Sequence, residues 1–172
     1  MKYVAPIVVC AIAAAATSAC GGHSPSARTD GRIGPFRIDL TTEAQIRAVA
    51  GKPDKVENQF APPRTRPIGH LLEYRCGRGC YTAYSINNAT GKLSDYQSTS
   101  RRFVTERGSR VGMSGRAAAD REGKRLVPGC GDGTYLHLRW DFRHRFVLTV
   151  WKGRVESMVY LGPHSVYYDG LC

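Results

Sequence analysis

The sequence FRIDLTTEAQIRAVAGKPD, residues 36–54, predicts a short strand that runs directly into a short helix. Phe36, Ile38 and Leu40 alternate with polar residues, which is the period of a half-buried strand. Thr41 or Thr42 is suited to cap the helix, because a threonine hydroxyl can accept from a free amide of the first turn. We expect the rest of the chain to be organised around this unit.

The predicted helix has a narrow apolar face and ends at residue 50. Its apolar stripe consists of Ala44, Ile46, Val49 and Ala50. Gly51 suits the left-handed position that follows a helix, and Pro53 prevents the helix from continuing.

An antiparallel meander is predicted after this helix. Three prolines within residues 57–69 indicate an extended loop. Strands are then predicted over residues 71–76, 80–86 and 92–99, with a hairpin around Cys-Gly-Arg-Gly-Cys at 76–80.

The same pattern restarts in the second half of the chain. Val111, Met113 and Ser114 have the same spacing and similar side chains as Ile38, Leu40 and Thr41. A second helix, poor in large apolar residues, is predicted from residue 117 and ends before Pro128. Strands over residues 135–141, 146–152 and 155–161 close the chain, with His137 facing away from Leu136, Leu138 and Trp140.

A helix followed by a meander, present twice, resembles the tandem repeats of the β-lactamase-inhibitor-protein-like superfamily. Small outer-membrane lipoproteins of the SmpA/OmlA type carry a single related unit. Leu40-Thr41, an Ala-rich helix and Gly-Lys-Pro-Asp at 51–54 fit the start of such a repeat, whereas the second copy lacks the Gly-x-Pro-Asp ending. The predicted fold class is α+β, with two tandem helix-plus-antiparallel-meander repeats whose helices pack on one face of the sheet.

The predicted division of the chain follows from these patterns. It comprises a signal peptide over residues 1–19, a flexible tether over 20–33, a first α/β repeat over 34–100 and a second over 101–172.

The N-terminal segment predicts export. A lysine precedes an apolar run over residues 4–16 that is too short to span a bilayer comfortably. Ser-Ala-Cys at 18–20 resembles the lipobox of bacterial lipoproteins, which implies an acylated Cys20 and a lipid anchor in the cell membrane. Thr17 stands where that motif prefers Leu, so ordinary cleavage before Cys20 and simple secretion is the alternative.

Four cysteines outside the signal region predict disulfides, because exported domains meet oxidising conditions. Of the three connectivities that four cysteines allow, we favour Cys76–Cys80, which closes a short loop, and Cys130–Cys172, which ties down the C-terminus. A zinc site at Cys76 and Cys80 would need two further ligands, and no His-x3–5-His pair supplies them. We therefore expect no metal.

The formal net charge of +11 favours anionic partners. For an exported protein these are anionic lipids or cell-wall polymers. No nucleic-acid-binding motif is present, so we expect no nucleic acid. Residues 101–125 hold eight basic residues, which form either a solvated face or a contact with anionic lipid or wall polymer.

No catalytic constellation is recognisable. The serines lie in no nucleophile elbow, the histidines are scattered singly, and no spacing selects two acidic residues as a pair. The sequence predicts a protein that is not an enzyme and needs no cofactor.

Aromatic residues on the predicted strands suggest a protein-binding surface, although core packing is the alternative for each. The candidates are Tyr74, Tyr84, Trp140 and Trp151. We predict a membrane-tethered cell-envelope lipoprotein, facing outside the cytoplasm, that binds or scaffolds a protein through an exposed sheet face. The resemblance implies one alternative, an inhibitor of an exported enzyme such as a β-lactamase. The other alternative is an envelope hydrolase.

Overall fold

About half of the described chain is β-strand. The computed structural model describes residues 25–60, 65–129 and 133–165. In chain order the elements are β1 (Ser26–Ala27), β2 (Arg32–Ile33), β3 (Phe36–Arg37), α1 (Glu43–Ala50), β4 (Lys55–Phe60), β5 (Pro67–Gly77), β6 (Cys80–Asn87), β7 (Lys92–Ser98), β8 (Val104–Thr105), α2 (Gly115–Glu122), β9 (Leu126–Pro128), β10 (Thr134–Trp140), β11 (Arg145–Trp151) and β12 (Arg154–Leu161).

Eight of these strands form one antiparallel sheet in the order β4-β5-β6-β7-β12-β11-β10-β9. The pairing of β7 with β12, where Tyr96 lies opposite Tyr160, joins the two halves of the chain. Four two-residue strands form a second sheet in the order β3-β2-β1-β8, in which β1 runs parallel to β8.

The core lies between these two sheets. Directly opposite residues in antiparallel strands share a face, and one such row across the large sheet is Leu72, Tyr84, Tyr96, Tyr160 and Phe146. All five are buried, and we call this side of the large sheet the core face. Buried apolar residues of the N-terminal segment lie in the same cluster: Ala27, Ile33, Phe36 and Ile38.

Helix α1 begins and ends as predicted. Thr42 is its N-cap and forms a capping box with Gln45, and Gly51 follows it with a φ of 84°. The predicted apolar stripe is wrong, however, because Ile46 is the one buried residue of this helix and Val49 is 66% exposed. Leu40 is also exposed, since β3 ends at Arg37 and the chain turns before Leu40.

Helix α2 approaches the large sheet through its small residues. A Cβ on Gly115 would lie 2.7 Å from a Val150 methyl group, so glycine permits this close contact. Ala118, Ala119 and Glu122 are buried. Ser114 occupies the N-cap position but makes no side-chain capping hydrogen bond.

The predicted fold class is wrong. The described part of the chain is mainly sheet with two short helices, and it does not form two helix-plus-meander repeats with helices packed on a sheet face. The physical reason is the size of the helices: each has eight residues, and α1 buries a single large side chain. The small sheet and its neighbouring loops contribute much of the remaining cover of the core face.

Two further predictions need correction. The tether predicted over residues 20–33 is part of the fold from Ser26 onward, because Ala27 and Ile33 are fully buried. Residues 57–60, which are predicted as the start of a loop, belong to strand β4 (Lys55–Phe60). The predicted hairpin of β5 and β6, the strand β7 and the closing strands β10 to β12 are confirmed.

Candidate functional site

The large sheet presents a second surface, which we call the outer face, on the side opposite the core. Its register places Ala83, Gln97, Val159, Val147 and His137 opposite one another across five strands. These residues alternate along their strands with the buried row of the core face, so they point to the other side.

One end of the outer face is covered. Ser85, Asp95 and Leu161 lie opposite one another there, and all three are buried. Ser165 donates from its hydroxyl to Asp95 Oδ2 at 3.0 Å, which places the C-terminal segment over this end. A partner therefore has access to the outer face at the other end.

That other end holds a cleft of about 880 Å³. Its described lining comes from the β5–β6 loop, the strands β6, β7, β10, β11 and β12, the segment after β7, and the residues that precede α2 and β10. The lining residues are Cys76, Arg78, Gly79, Cys80, Tyr81, Gln97, Thr99, Ser100, Arg101, Arg102, Val111, Gly133, Tyr135, Thr149, Val150, Trp151, Glu156 and Ser157.

Three aromatic side chains give the cleft its apolar surface. Tyr81 and Tyr135 are half-buried and stand on β6 and β10, and Trp151 ends β11 with 40% of its surface exposed. Aromatic rings that are partly open to solvent bind partners well, because they bury a large area and lose little conformational freedom.

The hydroxyl groups on the cleft floor are mutually satisfied. Thr149 Oγ1 and Ser157 Oγ lie 2.8 Å apart, and the Ser157 amide donates to Thr149 Oγ1. Thr99 accepts from the Tyr81 amide at 2.9 Å and donates to the Gly79 carbonyl at 3.1 Å. This floor is preformed, and no side chain in these pairs is arranged as an activated nucleophile.

Arginines dominate the charge of the cleft. Arg78, Arg101 and Arg102 are exposed, and none of the described ion pairs includes any of them. Gly112, with a φ of 85°, lets Arg101 lie against the backbone, since a Cβ there would be 3.2 Å from Arg101 Nε. Glu156 is the one carboxylate among the described lining residues, so the cleft favours an anionic ligand.

The predicted disulfide Cys76–Cys80 is present and lies on the rim of the cleft. Because the two sulfurs are bonded to each other, they cannot bind zinc as thiolates. The disulfide is consistent with export. The predicted pair Cys130–Cys172, the lipidation site Cys20 and the signal peptide lie outside the described residues.

Two of the four predicted partner-binding residues are on the wrong side of the sheet. Tyr84 is 5% exposed and contacts Phe36 and Tyr74 edge-to-face, with ring centroids 5.2 and 5.8 Å apart. Tyr74 donates from its hydroxyl to the Gly51 carbonyl. Both help to form the core, and Tyr84 is not accessible to a partner.

Trp140 and Trp151 do lie on the outer face, although at different places. An irregularity in register between His137 and Arg139 brings Trp140 to the same face as His137. The prediction that Trp140 shares a face with Leu136 and Leu138 is therefore wrong, because a strict alternation ignores this bulge. Trp151 reaches the cleft and Trp140 does not.

Sequence reasoning did not select Tyr81, Tyr135 or Arg78 as site residues, and it placed Arg101 and Arg102 only within the basic stretch over residues 101–125. The alternation in β6 places Tyr81 and Tyr84 on opposite faces, but it does not say which face is the core. The basic residues of the stretch 101–125 do not form one surface. Arg101 and Arg102 line the cleft, whereas Arg107 and Arg121 donate to the carbonyls of Glu122 and Gly108.

The described part of the chain lacks two kinds of feature. It contains no group of three or more His, Cys, Asp or Glu residues placed to hold a metal ion. No helix in residues 25–60, 65–129 and 133–165 has the length and apolar character needed to cross a membrane.

Comparisons with known proteins give one structural similarity. No protein-family model matches the chain, and no curated protein matches it. The structure is similar to that of an extracellular protein containing an SCP domain from Bacillus anthracis strain Ames, with a TM-score of 0.47 and 8% sequence identity. The match covers 73% of this chain and 44% of the other, so this chain spans less than half of that protein's length. The resemblance to the β-lactamase-inhibitor-protein-like superfamily stays a prediction.

Proposed function

We propose that this protein is a non-enzymatic, membrane-tethered module of the cell envelope that binds an acidic segment of a partner protein in the cleft of its outer face. One observation carries the proposal. Three arginines outside any described ion pair and three partly accessible aromatic rings surround a single preformed cleft. Arginine and aromatic residues are enriched in the energetically important positions of protein interfaces.

The cleft supports a protein ligand more than a small substrate. Its opening combines rings with guanidinium groups over a broad surface, and its floor hydroxyls are already paired. Arginine forms bidentate hydrogen bonds with carboxylates, so an acidic side chain of the partner would meet Arg101 or Arg102. An adjacent apolar side chain would cover Trp151.

The tether is supported by the sequence Ser-Ala-Cys at 18–20 after an apolar run. If Cys20 is acylated, radiolabelled palmitate added to cells is incorporated into the wild-type protein and not into Cys20→Ala. Incorporation that persists in Cys20→Ala would place the lipid elsewhere, and no incorporation into the wild type would mean simple secretion.

Photo-crosslinking in cells tests the binding surface. A photoreactive phenylalanine analogue placed at Trp151 should give a discrete protein adduct after irradiation. The same analogue at Val56, an exposed apolar residue of β4 that does not line the cleft, is the matched control and should give none. The proposal fails if position 151 gives no adduct or if both positions give the same adducts.

A further inference from the structure

The turn between β10 and β11 is held in a fixed conformation. The Asp141 carboxylate accepts from the amides of Arg143 and His144 at 2.9 and 2.8 Å, and the Asp141 amide donates to the His144 carbonyl at 3.0 Å. Arg139 Nε donates to the same carboxylate at 2.6 Å. These hydrogen bonds, that of Arg139 above all, hold the pKa of Asp141 well below its ordinary value, so the carboxylate stays charged.

This fixed turn displays an apolar tip. The Phe142 side chain is fully exposed, and Trp140 beside it is 46% exposed. A phenylalanine in this position contributes nothing to the core of the described fold. Because the turn is rigid, little further entropy is lost when the ring enters an apolar environment.

Basic residues surround the tip. Arg143 follows Phe142 directly and is exposed, and the Arg145 guanidinium lies 4.8 Å from the centroid of the Trp140 ring. Aromatic residues flanked by arginines suit the boundary between lipid headgroups and acyl chains. There the aromatic rings enter the apolar layer and the guanidinium groups contact lipid phosphates.

We propose that the β10–β11 tip, residues 140–145, inserts shallowly into an anionic lipid surface and orients the protein on the membrane. This inference rests on the membrane tether of the proposed function but uses a surface separate from the cleft. The net charge of +11 complements an anionic bilayer. The proposed lipid anchor would hold the tip beside such a bilayer, which supports lipid over an acidic protein loop as the occupant.

The path of the chain is compatible with this orientation. The Thr29 carbonyl accepts from Arg139 Nη1 at 2.9 Å and from the Tyr160 hydroxyl at 3.2 Å. Thr29, nine residues after Cys20, therefore lies at the base of the β10–β11 hairpin. A short link from an acylated Cys20 can keep the tip close to the same membrane.

Tryptophan fluorescence tests the insertion directly. The chain has two tryptophans, so Trp151→Phe leaves Trp140 as the single reporter. The mature protein with Cys20→Ala and Trp151→Phe, which has no acyl chain, is mixed with vesicles of phosphatidylcholine alone or with phosphatidylglycerol added. We expect a blue shift of Trp140 emission, and quenching by brominated acyl chains, with the anionic vesicles only.

Two matched variants in that background locate the contact. Phe142→Ser should weaken vesicle binding by roughly tenfold or more, because the ring no longer leaves water. Phe60→Ser removes an exposed phenylalanine of β4 and should leave vesicle binding unchanged. The proposal is overturned if anionic vesicles cause no shift, or if both variants weaken binding equally.

A protein contact at the tip is the remaining outcome. To detect such a contact, the photoreactive phenylalanine analogue is placed at Arg143 and crosslinked in cells. If Phe142→Ser abolishes the resulting adduct but leaves vesicle binding intact, the tip binds a protein and the lipid proposal is wrong. Loss of the adduct at Trp151 with normal vesicle binding would instead refute the cleft and leave the tip standing.

Discussion

The His137 imidazole lies parallel to the Trp140 indole, with 4.1 Å between ring centroids and 7° between ring planes. Residues three apart on a strand ordinarily face opposite sides, and the bulge between His137 and Arg139 is what brings them together. Partial burial in this stack lowers the pKa of His137 below its ordinary value of 6.5.

The stack predicts a pH dependence of stability. Just below pH 6.5 the unfolded chain binds a proton at His137 more readily than the folded protein does. The free energy of unfolding therefore falls as the pH drops below about 6.5. Above that pH the contribution of neutral His137 to stability is fully present. Urea unfolding at about pH 7 and about pH 5.5 should show a larger loss for the wild type than for His137→Gln. An equal loss in both proteins would mean that His137 is not the group responsible.

The single buried position of α1 predicts a sharp contrast between two truncations on one helix. Ile46 is fully buried, whereas Val49 is mostly exposed. Ile46→Ala should lower the free energy of unfolding by about 2–5 kcal/mol, because it leaves a cavity in the core. Val49→Ala should change it by less than about 0.5 kcal/mol. Chemical denaturation of both variants measures this, and similar small effects would show that α1 is not anchored through Ile46.

A buried carboxylate in the last turn of α2 predicts a further loss of stability. The Thr105 hydroxyl donates to Glu122 Oε1 and accepts from the Ser109 amide at 2.9 Å, and Thr105 and Glu122 are both buried. Thr105→Val keeps the shape but removes both hydrogen bonds, so it should cost about 1–3 kcal/mol. Thr65→Val, at an exposed site, is the control. A neutral effect of Thr105→Val in thermal and urea unfolding would contradict this account.

The local elements could be predicted from the sequence because their signals are local. The threonine that caps α1 and the Gly51 that ends it lie within one short segment. The Cys-Gly-Arg-Gly-Cys loop likewise marks the hairpin that the Cys76–Cys80 disulfide closes. Alternating side chains then place the long strands.

The arrangement of these elements could not be predicted, because it depends on distant pairings. Strands of two residues, such as β1 and β8, have no periodicity, yet Ala27 lies beside Thr105 in the small sheet. The choice between Tyr81 and Tyr84 as the accessible ring likewise depends on which face the N-terminal segment covers. Phe36 settles it, since its ring lies against Tyr84.

The central claim is that the arginines and Trp151 act together as one binding surface. The most direct test is the yield of the crosslinked adduct from position 151 in a protein that also carries Arg101→Glu and Arg102→Glu. Reversing both charges should reduce the yield by roughly tenfold or more, since like charges would then meet across the interface. Arg116→Glu, which changes an exposed arginine of α2 that does not line the cleft, should leave the yield unchanged. An undiminished yield from the double variant, or an equal loss from Arg116→Glu, would contradict the claim.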